Sequence, residues 1–174
     1  MKRLKLPLSQ SDLDGLNIGD EVALSGVIYT ARDAAHQRMA EAIKAGQPLP
    51  FDIKGAVVYY TGPTPAKPGQ VIGACGPTTS CRMDAYAPML YDLGMRGVIG
   101  KGPVGEDVKQ AIKRNNGCYF AATGGAGALI ADSIKSVTAV AYEELGTESV
   151  KRMEIEDLPA FVAVIRDQDI YHLD

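Results

Sequence analysis

The chain lacks a basic excess, a membrane-spanning apolar run and the apolar core of a signal sequence. Its 174 residues carry 18 Lys and Arg against 21 Asp and Glu, for a net charge of −3. That balance makes nucleic acid a poor candidate partner. No apolar run approaches the ~20 residues that cross a bilayer, and the basic start MKRLKLPLSQ has no apolar segment that would direct secretion. We therefore expect a cytoplasmic protein.

Cysteine and histidine are also scarce. An odd number of cysteines in a cytoplasmic chain argues against a disulfide framework, and two histidines are too few to complete a zinc pattern. Three thiolates could in principle hold three irons of a cubane cluster. Cys118, however, lies in GCYFAAT, which reads as a buried strand. We interpret the three cysteines, Cys75, Cys81 and Cys118, as structural or incidental.

What the chain does have is enough apolar sequence, 46% of its residues, for one compact domain over residues 1–174. Residues 1–18 are predicted to form an extended amino-terminal arm. Strands and helices alternate from about residue 83 to 140, which predicts βαβ units and an α/β fold with a mixed, partly parallel sheet. The predicted strands cover 21–30, 55–62, 71–76, 96–102, 118–125, 136–146 and 161–173, and the predicted helices cover 31–46, 83–94, 105–117 and 126–134.

Polar loops follow four of the predicted strands, where open α/β sheets tend to bind ligands. In the first, TARDAAH, Asp33 is predicted to cap the following helix. Arg32 would then lie at the edge of the loop, where its guanidinium could bind a carboxylate through two hydrogen bonds. The simpler alternative is a surface helix start in which Asp33 contacts His36.

The second loop, GACGPTTSCRMDAY, is the densest polar stretch of the chain. Thr78, Thr79 and Ser80 offer hydroxyls and backbone N–H groups before a predicted helix, a geometry that binds anions, and Arg82 adds a positive charge. An ordinary Ser/Thr helix cap with Asp84 in the first turn explains the same residues. The motif alone therefore indicates only an anion site.

The third loop, IGKGPVG, places Lys101 between two glycines, either exposed to a ligand or simply solvated. The fourth, ATGGAGALIAD, is a degenerate dinucleotide fingerprint in which Ile130 replaces the third glycine. Glu143 and Glu144 lie at roughly the distance of a ribose-binding acid. Tight packing between strand and helix explains the glycines of the fourth loop equally well.

Taken together, Arg32, Arg82 and Lys101 would place three cations beside a hydroxyl cluster, and such a pocket suits a small dicarboxylate. No carboxylate pair or histidine is clearly placed for acid–base work, and no set of metal ligands is convincing. If the chain is catalytic, it is expected to supply only part of a site.

Over nearly its whole length the chain resembles the β subunit, or carboxy-terminal domain, of the class I iron–sulfur-dependent hydro-lyases, fumarate hydratase and L-tartrate dehydratase. The strings that carry the resemblance are GDEVALSGVIYTARDAAH, GPTTSCRMD, GVIGKG, TGGAGAL and VAYEELGTES, in this order. The resemblance implies a swivelling β/β/α three-layer domain. It also implies a [4Fe–4S] cluster carried by cysteines of an α subunit, to which none of this chain's three cysteines corresponds.

The implied reaction is the reversible hydration of fumarate to L-malate, in a complex with the α subunit such as an α2β2 heterotetramer. A homodimer is the alternative assembly for the isolated chain. ARDAAH and RMD favour the fumarase form over L-tartrate dehydratase. A non-catalytic module that binds an anion or a nucleotide remains an alternative. The resemblance implies catalytic roles for Thr78 and Lys101, substrate contacts from Arg32, Arg82 and Thr79, and supporting positions for His36, Asp33 and Asp84.

Overall fold

A computed structural model describes residues 1–122 and 127–172 of the chain. Within these ranges, eight strands join in one sheet, five α-helices flank it, and three short 3-10 helices lie at Ser80–Met83, Glu143–Glu148 and Ile170–His172. The strands are β1 (Lys2–Lys5), β2 (Glu21–Thr30), β3 (Val57–Tyr59), β4 (Gly97–Gly100), β5 (Cys118–Ala121), β6 (Ile134–Ala141), β7 (Val150–Ile165) and β8 (Gln168–Asp169). The helices are α1 (Gln10–Asp14), α2 (Asp33–Lys44), α3 (Ala87–Asp92), α4 (Glu106–Arg114) and α5 (Gly127–Asp132).

Five of the strands close into a ring. β2, β3, β4 and β5 are parallel neighbours in that order. The long strand β7 runs antiparallel to both β5 and β2, and so joins the two ends of the parallel row. β1 pairs in parallel with β2, and β6 pairs antiparallel with β7. The sheet is therefore mixed, which confirms the predicted α/β class with a partly parallel sheet.

The two faces of the ring pack into two separate cores. In β3, Val57 and Tyr59 belong to the cluster that the ring encloses, whereas Val58 and Tyr60 pack outward against the helices. This alternation follows from the period of two along a strand. The parallel strands are thus buried on both faces, and only their ends can present polar groups to a ligand.

The long periodic segments fold as predicted, since β2, α2 and α4 lie within the predicted strand 21–30 and the predicted helices 31–46 and 105–117. The predicted helix 83–94 is shorter. Pro88 lies in the first turn of α3, where its missing N–H costs nothing, and α3 starts only at Ala87. No helix in the described ranges combines the length and the apolarity that a membrane crossing requires.

Two strand predictions need correction. The predicted strand 71–76 is absent from the structure, because this segment folds back onto the preceding loop. Gly73 and Thr64 are joined by a backbone hydrogen bond, and a Cβ on Gly73 would lie 2.2 Å from the Thr64 Oγ1 atom. The predicted strand 136–146 ends at Ala141, because Tyr142 adopts a left-handed conformation (φ 56°) before the 3-10 helix Glu143–Glu148.

Both ends of the chain also differ from the prediction. Residues 1–18 are not an extended arm: β1 joins the sheet, and α1 follows with a capping box between Ser9 and Asp12. Leu13 and Leu16 are buried in the enclosed core. At the other end, β7 begins eleven positions before the predicted strand 161–173, at Val150.

Candidate active site

The predicted site residues follow parallel strands that end at the same edge of the ring. The strand ladder continues to this edge, where the Ala31 N–H donates to the Tyr59 carbonyl at 3.1 Å and the Tyr60 N–H donates to the Ile99 carbonyl at 2.9 Å. Arg32 lies two positions beyond the end of β2, directly after Ala31. Lys101 directly follows β4. Two of the four polar loops are thereby brought to one rim of the molecule.

The Thr78–Ser80 segment lies between the ends of β3 and β4. The Thr78 N–H donates to the Tyr60 carbonyl at 2.7 Å, on the β3 side. On the β4 side, Thr79 forms a parallel bridge with Lys101, and the Ser80 N–H donates to the Lys101 carbonyl at 2.9 Å. The two half-buried threonines are therefore fixed by backbone pairing beside Lys101.

This placement corrects the interpretation of the polar motif as a helix cap. Ser80–Met83 is a 3-10 helix of four residues, and Thr79 at its N-cap makes no side-chain capping hydrogen bond. Asp84 follows this helix as its C-cap instead of lying in its first turn. The Thr78 and Thr79 hydroxyls are consequently not committed to capping this helix.

A buried hydroxyl pair beneath the segment was not identified from the sequence. The Ser80 Oγ atom lies 2.9 Å from the Tyr119 hydroxyl, which donates to the Gly102 carbonyl at 2.8 Å. A Cβ on Gly100 would lie 1.9 Å from that Ser80 Oγ atom, so only glycine fits at the end of β4. A glycine inside a buried strand was the available signal for this close approach.

Arg32 occupies the N-cap position of α2, so the prediction that Asp33 caps this helix is wrong; Asp33 is the first helical residue. The Arg32 side chain lies against Gly62, where a Cβ would come within 2.5 Å of the Arg32 Nη1 atom. The Arg32 Nε atom is buried without a partner in the described ranges. Part of this guanidinium therefore retains an unused donor at the rim.

Asp33 forms an ion pair with Arg82, which joins the start of α2 to the 3-10 helix after the threonines. Side-chain exposures of 37% for Asp33 and 47% for Arg82 leave the pair open to solvent. Asp33 thus contacts the second arginine of the site and not its neighbour Arg32. Among residues 1–122 and 127–172, neither Arg32 nor Lys101 forms an ion pair.

His36 lies beneath Arg32 and is buried. Its Nδ1–H donates to the Arg32 carbonyl at 2.8 Å, since a carbonyl can only accept. The ring packs edge-on against Tyr60, with 5.2 Å between the ring centroids. Burial lowers the pKa of His36 from 6.5 to about 4. At neutral pH the imidazole is therefore uncharged and tied to the backbone that carries Arg32.

Asp84 connects the polar motif to the loop after β4. Its Oδ2 atom accepts a hydrogen bond from the Gly105 N–H at 2.9 Å, at the N-cap of α4. Burial raises the pKa of this carboxyl group, and the hydrogen bond from Gly105 opposes that shift. Because Lys101 lies between β4 and Gly105, this contact closes the loop that carries the lysine.

The cysteines do not form a metal site among the residues described. Cys75 and Cys118 are buried, and Cys81 is exposed. Burial raises the pKa of the Cys75 thiol to about 11 and also raises that of Cys118. In the described ranges no three His, Cys, Asp or Glu side chains are grouped so that they could hold a metal ion. The residues present do not fit an iron–sulfur cluster on this part of the chain.

The degenerate nucleotide fingerprint is only partly visible, since residues 123–126 lie outside the described ranges. Of the two acids expected to accompany it, Glu144 pairs with Arg38 at 2.8 Å. Glu143 lies beside it in the same 3-10 helix. A cavity of about 780 Å³ is lined by parts of 64–74 and 128–135 and by none of the predicted site residues.

Comparison with known proteins gives consistent matches. The family described as "Fumarase C-terminus" matches residues 1–172. "Fumarate hydratase 2" of Leishmania major is 39% identical over 92% of this chain. "Fumarate hydratase class I, anaerobic" of Escherichia coli strain K12 is 38% identical over 94% of it. "Putative L(+)-tartrate dehydratase subunit beta" of Methanocaldococcus jannaschii is 36% identical over 90% of it.

The relatives differ in how much of them this chain covers. The matched region is 29% of each of the two fumarate hydratases. It is 84% of the protein described as subunit beta. The same unit therefore occurs both as a minor part of a long chain and as most of a short one.

Proposed function

The chain belongs to the fumarase C-terminus family, and on that premise we propose that it is the β subunit of a class I fumarate hydratase. In this proposal it catalyses the reversible hydration of fumarate to L-malate together with an α subunit. In this proposal the α subunit carries the [4Fe–4S] cluster, as the resemblance to the class I hydro-lyases implies.

The observation that carries the proposal is the convergence of separate motifs on one rim. Arg32 follows β2, Lys101 follows β4, and Thr78 is held between β3 and β4 by its backbone. Arg82 lies on the 3-10 helix next to it and pairs with the Asp33 carboxylate, which indicates that its guanidinium is accessible to a carboxylate. Arg32 and Lys101 form no ion pair among the described residues, and such cations beside a hydroxyl suit a small dicarboxylate.

The proposed roles follow from the chemistry of these groups. Arg32 and Arg82 bind the two carboxylates of the substrate, and Thr79 and Lys101 contact the same molecule. In the direction of dehydration, the Thr78 alkoxide takes the proton from C3 of malate, the C3 electron pair forms the second bond to C2, and the C2–O bond breaks to release hydroxide. This hydroxide takes the proton from Thr78 and leaves as water, which restores the alkoxide. In hydration the same oxygen returns the proton to C3.

A threonine oxygen is a demanding proton acceptor, since its hydroxyl is normally protonated. Nearby cations stabilise both an alkoxide at Thr78 and the carbanionic charge that develops on the substrate carboxylate. Lys101 is bridged to the neighbouring Thr79 by backbone pairing. This arrangement supports a catalytic role for the lysine in addition to binding.

A partner is proposed because the relative that this chain covers over 84% of its length is described as subunit beta, a name that implies a further subunit. The chain spans about three-tenths of the two fumarate hydratases. We infer that the α subunit contributes the remaining part of the site.

The test is reconstitution under anaerobic conditions. The chain alone is expected to be inactive, and its complex with the α subunit is expected to interconvert malate and fumarate, followed by the absorbance of the fumarate double bond. Thr78→Ala should lower kcat by at least about a hundredfold, the scale of a lost acid–base group. Thr138→Ala, an exposed threonine of β6, is the matched control and should leave kcat unchanged. An inactive but iron-loaded wild-type complex would refute the proposal.

L-Tartrate dehydration is the second candidate, and the similarity to the protein described as a tartrate dehydratase subunit favours it. The two substrates differ by one hydroxyl group. Comparing kcat/KM for L-malate and L-tartrate in the same complex decides between them. Calorimetry of the isolated chain with NAD and ATP tests the remaining alternative, since tight nucleotide binding without a partner would indicate a binding module.

A further inference from the structure

The N-terminus of α2 has no capping hydrogen bond from the side chain of its own N-cap residue. Its N-cap residue is Arg32, which makes no side-chain capping hydrogen bond. Ser, Thr, Asp and Asn are the residues that normally satisfy the free N–H groups of a first helical turn. An arginine that serves a ligand cannot do so, because its guanidinium has donors only.

An acceptor for this helix comes from far along the chain. The Oε1 atom of Glu148 lies 3.2 Å from the Ala34 N–H and accepts its hydrogen bond. Ala34 is the second residue of α2, and its N–H is one of those that an N-cap side chain would normally satisfy. A carboxylate at this end also complements the helix dipole. Glu148 therefore replaces the missing cap from outside the helix.

Glu148 belongs to a segment that is itself held firmly. We call residues 143–149 the brace. The Lys151 Nζ atom donates to the Gly146 carbonyl at 3.2 Å and lies 2.7 Å from the Ser149 Oγ atom. Before the brace, Tyr142 adopts a left-handed conformation that is unusual for a bulky residue. Such backbone persists where surrounding contacts fix it.

The brace is also attached to both elements that carry Arg32. Its Glu144 pairs with Arg38 on α2, at 2.8 Å. Its last residue, Ser149, accepts a hydrogen bond at its carbonyl from the Thr30 hydroxyl, at 3.4 Å, at the end of β2. The contacts that Glu148 makes with Ala34 and that Ser149 makes with Thr30 each lie two positions from Arg32 along the chain.

We propose that Glu148 is a positioning residue, which holds Arg32 in place at the site by capping α2 from the brace. The proposal rests on the proposed function of Arg32 as a substrate cation. It adds a residue that contacts no substrate itself and acts through the backbone N–H of Ala34, two positions after Arg32.

The test compares Glu148→Ala, Glu148→Gln and Glu144→Gln in the reconstituted complex. Glu148→Ala should raise KM for the dicarboxylate by roughly fivefold to tenfold, the scale of a lost N-cap, with kcat nearly unchanged. Glu148→Gln keeps an oxygen acceptor and should recover most of the loss. Glu144→Gln is the matched control, because it alters the same brace but not the cap, and its KM should equal that of the wild type.

A double-mutant cycle separates positioning from general stability. In an Arg32→Ala background, Glu148→Ala should have no further effect on KM. An additive effect, an unchanged KM in Glu148→Ala, or an equal rise in Glu144→Gln would each overturn the proposal.

Hydrogen exchange of the Ala34 N–H in the isolated chain gives a readout that needs no activity. Exchange should be faster in Glu148→Ala than in either Gln variant, and equal exchange in all three would refute the cap. An inactive wild-type complex would instead count against the proposed function, while exchange at Ala34 still decides whether Glu148 caps the helix.

Discussion

Acid is expected to destabilise the fold through His36 before the carboxylates are protonated. The unfolded chain binds a proton at His36 with a pKa near 6.5, whereas burial lowers the pKa of the folded histidine to about 4. The unfolded state therefore binds more protons between these values, and stability is lost as pH falls through this window. A shift of this size corresponds to about 3 kcal/mol, of which about 2 kcal/mol should appear by about pH 4.5.

The assay is urea unfolding of the isolated chain at several pH values between about 7 and 4.5. His36→Asn keeps an N–H donor near the Nδ1 position but does not titrate, so its free energy of unfolding should be nearly independent of pH in this window. The variant will be less stable throughout, because a smaller side chain leaves a cavity beside Tyr60. His172→Asn is the matched control, since His172 is exposed, and it should retain the slope of the wild type.

The result that would refute this reasoning is a slope in His36→Asn equal to that of the wild type. A flat wild-type curve would do so as well, since it would mean that the buried imidazole can take up a proton without cost. Either outcome would also weaken the view that His36 serves as a fixed, uncharged support for the Arg32 backbone.

Three further outcomes are expected. Gly100→Ala should lower the free energy of unfolding by about 2 kcal/mol in urea titrations, because its Cβ would overlap the Ser80 Oγ atom. Asp169→Asn should destabilise by about 2 kcal/mol in the same assay, since it leaves the Lys109 ammonium with only the Glu106 carboxylate at 3.9 Å in place of that of Asp169 at 2.7 Å. A thiol reagent at about pH 8 should modify the native chain at Cys81, the exposed cysteine.

Each of these outcomes has an internal control. Gly15→Ala adds a Cβ where no atom lies within 4 Å, so destabilisation equal to that of Gly100→Ala would contradict the overlap argument. Asp167→Asn removes an exposed partner of Lys113 and should leave the free energy of unfolding nearly unchanged. Cys75 and Cys118 should react only on unfolding, because burial raises the pKa of both thiols. Modification of all three cysteines in the folded chain would show that these two are accessible.

The sequence predicted the parts of the fold whose signal is local. β2 and α4 are long enough for periodicity to identify them, and both appear where expected. The first half of β7 was missed because Pro159 and a run of charges conceal it, although buried Met153 and Ile155 alternate with exposed glutamates. The prediction of a strand at 71–76 was wrong. It was based on the β-branched residues at the start of this segment, whereas the close contact between Gly73 and Thr64 determines its conformation.

For the candidate site, the sequence indicated positions but not partners. The predicted strand ends and the glycines were sufficient to identify Arg32, Thr78 and Lys101 as candidate site residues. Their roles stay predictions. The pairing of Asp33 with Arg82 and the cap from Glu148 join residues 49 and 114 positions apart. Such contacts depend on how the ring of strands closes, and a local sequence pattern contains no information about that closure.

The closed ring of strands also has a consequence for the order of folding. β7 completes the ring by pairing with β2, so that Glu21 is matched with Phe161. Pairings this distant along the chain form slowly, since a large loop must close before they contribute. While the polypeptide is being synthesised, β2 presents an unpaired edge until β7, its later partner in the sheet, has emerged. The hydrogen bond from the Ala34 N–H at the start of α2 to Glu148 also has to wait, so a nascent chain can complete its candidate site only after residue 148 has emerged.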